Sequence, residues 1–496
     1  MNTYRIRAAL AAVLLVSAPL AVARQSGATP SRPAGTQNAT LLALANKPWS
    51  GDFDRMVERR LIRVLVPYSR TLYFSDMGRE RGITADIFRD FERYINEKYW
   101  KQLRGRPITI LMIPTTRDKL LANVHAGLGD IAAGDITMTD ARLKVVDFVA
   151  PEHERGVSEL VVTGPKSPAI ASVDDLAGKT VHVRKASSYY ESLVALNERL
   201  EKKGKAPAKL ALVPDALEDE DMLEMLNAGL LQAIVIDDWM ARMWAQVLPK
   251  IKVNEEAAVR EGDKIGWAVR KRSPKLQQAL YGFYRDYLKK EGVLAYTLKE
   301  YMADIKQIED PTGTAEWTRF EQTLALFKKY GETYGFDPLM LAAQGYQESR
   351  LNQDAHSRVG AIGIMQLMPA TGAAMDVGDI AIMEPNVHAS AKYMNELITR
   401  YFSDAKFSEA NRHLFAFATY NAGPGNISYM RELAKSRGLN PDEWFNNVEV
   451  VTAEKIGQQT TTYVRNIYKY YVAYKLSHEA AETEQRARQA VAPGRN

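Results

Sequence analysis

Glu348 is the residue of this chain best suited to chemistry. It closes an apolar stretch, Leu339-Met340-Leu341-Ala342-Ala343, that follows the turn Phe336-Asp337-Pro338. It leads into a segment punctuated by Gly360 and Gly363 and walled by Met365, Leu367 and Met368 before Pro369. Glycine permits close backbone approach or positive φ, and proline stops or redirects the chain. Most glutamates at helix ends are solvated. A carboxyl group that faces an apolar loop is desolvated instead. Its pKa rises, and a carboxylic acid still protonated near neutral pH serves as a general acid.

A second set of candidates lies in the first half of the chain. Thr137-Met138-Thr139-Asp140-Ala141-Arg142 follows a strand's C-terminal end, the place where open α/β sheets bind ligands. The Arg142 guanidinium is a fork suited to a carboxylate. Asp237 and Asp238 stand at another strand end and suit a ligand ammonium group. A surface arginine and two capping acids are the alternative reading of these residues.

The elements that must position these groups fall into two patterns. Leu61–Pro67, Ile108–Pro114, Asp130–Gly134, Thr180–Arg184, Ala233–Asp238 and Ile265–Arg270 read as strands,. Helical spacing lies between them, as in Ile87, Phe88, Phe91, Tyr94 and Ile95,. That alternation predicts βαβ units and a parallel sheet. From Trp317 onward the pattern is helical throughout. It includes helices over Asn386–Tyr401 and Ala410–Thr419, and a long aromatic helix over Val451–Leu476,.

Length and composition bound the rest. A chain of 496 residues holds two or three domains. Residues 1–23 read as a signal peptide: Arg5 and Arg7, the apolar run Ala8–Val16, then Ala21-Val22-Ala23,. The apolar run is too short for a convincing membrane span, so membrane association is expected to be peripheral or through a retained signal. Removing Arg5 and Arg7 lowers the formal net charge from +5 to +3, which argues against a nucleic-acid partner. There is no cysteine, so an exported chain would do without disulfides and has no lipidation site. Residues 24–51 read as a disordered leader. A connector over 291–314 and a tail over 479–496 flank the helical region.

The run Asp130 to Phe148, with Asp175-Leu176-Ala177-Gly178-Lys179-Thr180-Val181-His182-Val183 and Ala233–Asp237 after it, resembles periplasmic amino-acid-binding proteins. The resemblance covers residues 52–290 and implies two α/β lobes around a cleft, one of 52–152 with 264–290, the other of 156–258. It implies that Arg142 holds a ligand α-carboxylate, with Thr137 beside it, that Asp237 takes the α-amino group, and that Tyr68 or Tyr73 lies near the cleft. The ligand implied is an amino acid or a muropeptide. Gln232 and Lys185-Ala186-Ser187 depart from that family's pattern.

Three later motifs occur in order: Glu348-Ser349-Arg350, Gly360 to Pro369, and Ala418-Thr419-Tyr420-Asn421-Ala422-Gly423-Pro424-Gly425. Together they resemble the lysozyme-like domain of the soluble lytic murein transglycosylases, over residues 315–478. The pairing with the front module resembles the membrane-bound lytic murein transglycosylase F type. The fold class implied is a two-lobed α/β module joined to a mainly α, lysozyme-like domain. Peptidoglycan glycan strands are the implied substrate, and the periplasm, peripheral to the outer membrane, is the implied location. By position, Glu348 is catalytic. Ser349 orients it or touches sugar, Met365 and Gln366 line the site, and Tyr420 and Asn421 contact the sugar. The family's Glu-Thr-x-x-Tyr-Val pattern stands here as Gln459 to Val464, which adds Gln459 and Tyr463 to the substrate-binding set and replaces an acid with an amide.

The residues constrain the chemistry further. Glycosidases commonly use two carboxylates, and this region supplies one convincing acid. Asp354 lies in a polar loop with Asn352 and Gln353, where a calcium-like or capping role is equally open. A lone acid suffices when the substrate supplies its own nucleophile: Glu348 protonates the glycosidic oxygen, then takes the proton of the sugar's 6-hydroxyl, leaving a 1,6-anhydro end. No cofactor and no metal is required. The rivals are a hydrolytic muramidase on the same domain and a non-catalytic solute or cell-wall receptor.

Overall fold

The computed structural model describes residues 47–150, 156–288, 309 and 314–491. The expected signal peptide, most of the leader and most of the connector lie outside the described residues.

The front module begins with a sheet built around a buried strand that is apolar but for Arg63, which pairs with Asp130 at 3.0 Å. Strand β1 (Leu61–Val66) is buried along its whole length. It pairs in parallel with β2 (Thr109–Pro114) and β3 (Ile131–Thr137). Helices α1 (Ile83–Lys98) and α2 (Arg117–His125) connect them. Strand β4 (Val146–Val149) completes the outward path. The chain then builds the second lobe from β5 (Val157–Thr163), β6 (Thr180–Arg184), β7 (Lys209–Val213), β8 (Ala233–Asp237) and β9 (Lys252–Asp263), with β8-β5-β9 as a three-stranded sheet and β6-β7 as a separate parallel pair. Helices α3 (Ser188–Lys202), α4 (Asp219–Asn227) and α5 (Asp238–Trp244) pack among these strands. Strand β10 (Ile265–Arg270) then returns to the first sheet, whose order is β2-β1-β3-β10-β4.

The expected parallel pairing holds for β2-β1-β3 and for β6-β7 and is corrected elsewhere. Strand β10 runs antiparallel to both β3 and β4, and β8-β5-β9 is antiparallel throughout. A strand that re-enters a sheet after the chain has visited another lobe is free of the right-handed crossover that forces parallel pairing. Helix α6 (Pro274–Phe283) closes this lobe, with Leu276, Leu280 and Phe283 at 0% exposure in its core.

The helical domain comprises α7 (Thr314–Tyr334), α8 (Pro338–Ser349), α9 (Pro369–Met375), α10 (Met383–Tyr401), α11 (Glu409–Ala422), α12 (Pro424–Ser436), α13 (Glu449–Lys455) and α14 (Gln458–Val491). Helix α8 is the central one. Its start is fixed by Asp337, whose carboxylate accepts from the backbone N–H groups of Leu339 and Met340, and by Pro338 in the first turn,. Met340 to Tyr346 are all buried, packed against α7 and α14. Tyr346 meets Tyr470 edge-on at 4.8 Å, and Phe320 stacks on Tyr474 at 4.3 Å.

The single aromatic helix expected over Val451–Leu476 is two helices. Gly457 between them has φ +107°, outside any helical conformation. The break turns α13 toward the front module, where Val450 and Ala453 join the apolar core of the first lobe. The Met77 N–H donates to the Ala453 carbonyl at 3.1 Å, and the Gln458 amide donates to the Ser75 carbonyl at 2.9 Å.

The second lobe and α13 also clasp α14 through charge. Lys469 reaches Glu224 at 2.6 Å and Asp221 at 3.1 Å, and Arg465 reaches Asp221 at 3.2 Å and Glu449 at 2.5 Å. Arg70, from the first lobe, pairs with Glu224 at 2.5 Å. Burial raises the Asp221 carboxyl, but Lys469, Arg465 and Arg70 together pull it well below the usual range. The remaining space between these groups is about 10 Å³, room for a single water at most.

Candidate functional site

Glu348 sits one residue from the end of α8, which stops at Arg350 in the left-handed conformation. The chain then loops back so that Ile364 (0% exposed), Met365 (1%) and Leu367 (2%) form an apolar floor. Met365 lies against α8 itself: a Cβ at Gly345, one turn before Glu348, would stand 3.2 Å from its sulfur. The carboxyl group is half-buried. Burial pushes its pKa up to about 7, against a lowering hydrogen bond from Tyr463. The Tyr463 hydroxyl donates to Glu348 Oε1 at 2.5 Å. Among the described residues no neighbouring carboxylate contributes to the shift. Asp354 is exposed on the loop, its neighbours Asn352 and Gln353 engaged with backbone groups.

The loop is held by side chains that pattern reading did not single out. Asn386 on α10, at 0% exposure, accepts from the Met365 N–H at 2.9 Å. It donates to the carbonyls of Ile362 at 2.9 Å and Ile380 at 2.8 Å. Gln353 donates to Ile380 and Ala381 and accepts from the Ile364 N–H at 3.2 Å. Gly363 (φ +83°) passes so close that a Cβ would lie 2.3 Å from the Asn386 amide. Neither residue carries a local signal, because an amide is recognised as a clamp only once three chain segments meet at it.

The expected site residues fall out as follows. Ser349 donates to the Ile364 carbonyl at 2.8 Å and accepts from the Asn352 N–H, so it ties the helix end to the loop. Gln366 (φ +49°) donates to the carbonyls of Ala355 and Gly363. Tyr420 donates to the Met365 carbonyl at 2.8 Å and meets Tyr393 edge-on. Asn421 accepts from Thr460 at 2.9 Å. Gln459 is exposed, and its neighbour Thr460 makes the contact to the Tyr-Asn motif. Tyr463 thus holds Glu348, while Ser349, Gln366 and Tyr420 each hold the loop beside it.

The front module has its own candidate site between the lobes. A cavity of about 250 Å³ is lined by Arg117, Asp135, Arg142, Arg184, Tyr189 and Asp219, among others. Arg142 lines it, donating to the Thr137 carbonyl at 3.0 Å and facing Glu191 at 3.4 Å. Thr137 bridges the lobes through Ser188 at 3.1 Å. Asp237 is at 0% exposure, and burial and Asp135 hold its carboxyl well above the usual range. Tyr68 and Tyr73 are elsewhere. Tyr68 lies at the seam with the helical domain, its ring under Arg465 at 5.6 Å, and Tyr73 faces Glu80 at 3.4 Å. Sequence position put both tyrosines after a strand of the first lobe, but the chain there turns toward α13 rather than toward the cavity.

Comparison with known proteins agrees with both halves. Residues 64–304 match the family model of bacterial extracellular solute-binding proteins, family 3. Residues 325–444 match the transglycosylase SLT domain. The chain is 28% identical over 375 residues to the membrane-bound lytic murein transglycosylase F of Desulfosudis oleivorans, covering 71% of this chain and 79% of that protein. It is 27% identical over 385 residues to the protein of the same name from Shewanella pealeana, covering 76% and 74%. To the one from Pseudomonas fluorescens it is 26% identical over 438 residues, covering 84% and 85%. The chain is thus similar to the membrane-bound lytic murein transglycosylase F proteins, with a match to family 3 solute-binding proteins followed by a match to the transglycosylase SLT domain.

Proposed function

We propose that this protein is a peptidoglycan lytic transglycosylase in which Glu348 is both the general acid and the general base. The observation that carries this reading is the isolation of Glu348: its pKa is raised to about 7 by burial, with one hydroxyl donor and, among the described residues, no neighbouring carboxylate. An acid poised near neutral pH is protonated for part of the population and ionised for the rest, so one group serves both steps. In the first step Glu348 gives its proton to the glycosidic oxygen between N-acetylmuramic acid and N-acetylglucosamine as the C1–O bond breaks. The N-acetyl group or ring oxygen stabilises the cationic sugar. In the second step the 6-hydroxyl oxygen bonds to C1 and its proton passes to Glu348. The acid is regenerated, a 1,6-anhydro end forms, and no water is consumed.

The surrounding residues support each step. Met365 and Leu367 keep water from the acid. Tyr463 steadies its ionised form, and Tyr420 and Asn421 offer a ring and an amide to the sugar. Among the described residues no helix is long and apolar enough to cross a membrane; a peripheral association in the periplasm, at the outer membrane, is the location this reading carries. The front module takes a small zwitterion or a muropeptide stem in the cavity between its lobes, with Arg142 and Asp237 in the binding set. The helical domain spans 315–478 and the front module 52–290.

Mass spectrometry of murein digested by the wild type and by Glu348→Gln tests the reading. The expected product is one water lighter than the reducing sugar that a hydrolase leaves. Reducing ends would point to a muramidase, and undiminished digestion by Glu348→Gln would remove Glu348 from the mechanism.

A further inference from the structure

Strand β3 changes course at the cavity between the lobes. Its ladder to β10 pairs Ile136 with Gly266 and Ala132 with Ala268, with a register shift between them. Three residues on β3 therefore oppose one on β10, which is a β-bulge, a device that re-aims side chains beside binding sites. Asp135 is in this bulge with φ +61°, a left-handed conformation that costs a non-glycine residue about 1–2 kcal/mol. The bulge directs the carboxyl group into the cavity, which it lines. Asp135 Oδ1 accepts from the Trp239 indole N–H of the opposite lobe at 3.3 Å. Its Oδ2 is shielded from solvent and accepts nothing.

The charges around it are unevenly satisfied. Arg117 donates to Glu218 at 2.7 Å and to the Gly134 carbonyl at 2.8 Å. Arg184 is paired with Asp219 and donates to the Leu217 carbonyl at 2.9 Å. Arg142 faces Glu191 at 3.4 Å. Each cavity arginine thus has an acid, whereas Asp135 Oδ2 has no hydrogen-bond donor. Lys185 also lines the cavity, from its exposed side. Burial pushes the Asp135 carboxyl up to about 7 against the pull of Arg117. One donor is also unused: Arg117 Nη2, buried, donates to nothing and stands 4.0 Å from Asp219. Strain, an open acceptor and an open donor meet in a cavity of about 250 Å³, a size suited to one small molecule because drug-sized ligands begin near 300 Å³.

We propose that this cavity binds a small zwitterion carrying an additional cationic group, and that Asp135 receives that cation. The inference rests on the reading of the inter-lobe cavity as a ligand site. Arg117 Nη2 is left for a ligand oxygen. The strained backbone at Asp135 is retained because it brings an acid to a place that a regular strand would not reach.

Calorimetry on the full chain with L-lysine and L-norleucine tests this, since the two differ by the terminal ammonium group alone. Lysine is expected to bind about 10–100-fold more tightly, the worth of one charge-assisted hydrogen bond. That ratio is expected to collapse toward one in Asp135→Asn. Asp135→Gly is the companion variant, because glycine adopts the positive φ without strain and so separates loss of the carboxylate from loss of the fold. Norleucine binding as tightly as lysine, or a lysine preference that survives both variants, would overturn the role of Asp135 while leaving a zwitterion site intact. Binding of neither amino acid would overturn both the inference and the ligand-site reading beneath it.

Discussion

Two carboxyl groups in this molecule, Glu348 in the helical domain and Asp135 in the front module, are both pushed up to about 7. Their surroundings differ in kind. Glu348 faces burial and one tyrosine hydroxyl. Asp135 faces burial, the attraction of Arg117 and the repulsion of Asp219. An acid isolated in an apolar wall keeps its proton transferable, because only the substrate is there to exchange it. An acid set among other charges is tuned by whichever ion arrives, which is the property of a binding site. The same pKa therefore supports two functions, and the neighbours decide which.

The sharpest way to break this comparison is Glu348→Gln. Loss of a general acid–base group is expected to lower the murein-cleaving rate by about 10²–10⁴-fold, read by turbidity clearing. The same variant should be more stable than the wild type at neutral pH. The folded-state pKa of Glu348 is raised from 4.5 to about 7, so the folded state binds the proton more tightly and ionisation above that range opposes folding. The gain should be absent below about pH 4.5 and full above about pH 7. Partial exposure limits it to the order of 2 kcal/mol, measured by denaturant unfolding at both pH values.

The seam between the two regions offers the next test. Lys469 is 1% exposed and stands between Asp221 and Glu224, themselves 2% and 1% exposed. Lys469→Met leaves those acids one cation short and should cost about 3–5 kcal/mol of stability. An unchanged midpoint in chemical denaturation would mean that the helical domain and the front module are not joined through α14.

Tyr463→Phe sharpens the account of Glu348 itself. Removing the hydroxyl removes the one hydrogen bond that lowers its pKa, so the alkaline limb of the rate profile should move to higher pH. A limb that stays in place would mean that burial alone sets the acid. The smallest effect is expected at Gln459, which is exposed. Gln459→Glu should change the cleavage rate by less than twofold, since an exposed charge is worth at most about 1 kcal/mol and less at physiological salt. Thr460→Val, which removes the hydroxyl bonded to Asn421, should cost more.

Several features were legible in the residue order. The Asp337-Pro338 start of α8, the apolar run that buries it and the glycine-spaced loop are local patterns, and local patterns fix local conformation. The strands Thr180–Arg184 and Ile265–Arg270 follow the same rule. Strand direction did not, because pairing is settled between segments far apart in the chain: β3 and β10 meet only after the chain has traversed the second lobe. The helix break at Gly457 also escaped periodicity, which a single glycine barely disturbs.

The sequence by itself singled out Glu348 as the candidate acid, because the apolar helix before it and the glycine-spaced loop after it are local patterns. Only the tertiary structure decided how that acid is held. Tyr463 lies 115 positions from Glu348, Asn386 joins three backbone segments, and the Asp135 bulge exists only where two strands of unequal length are paired. A residue's type and near neighbours are written in the chain, whereas its desolvation and its hydrogen-bond partners come from packing, and those set its pKa.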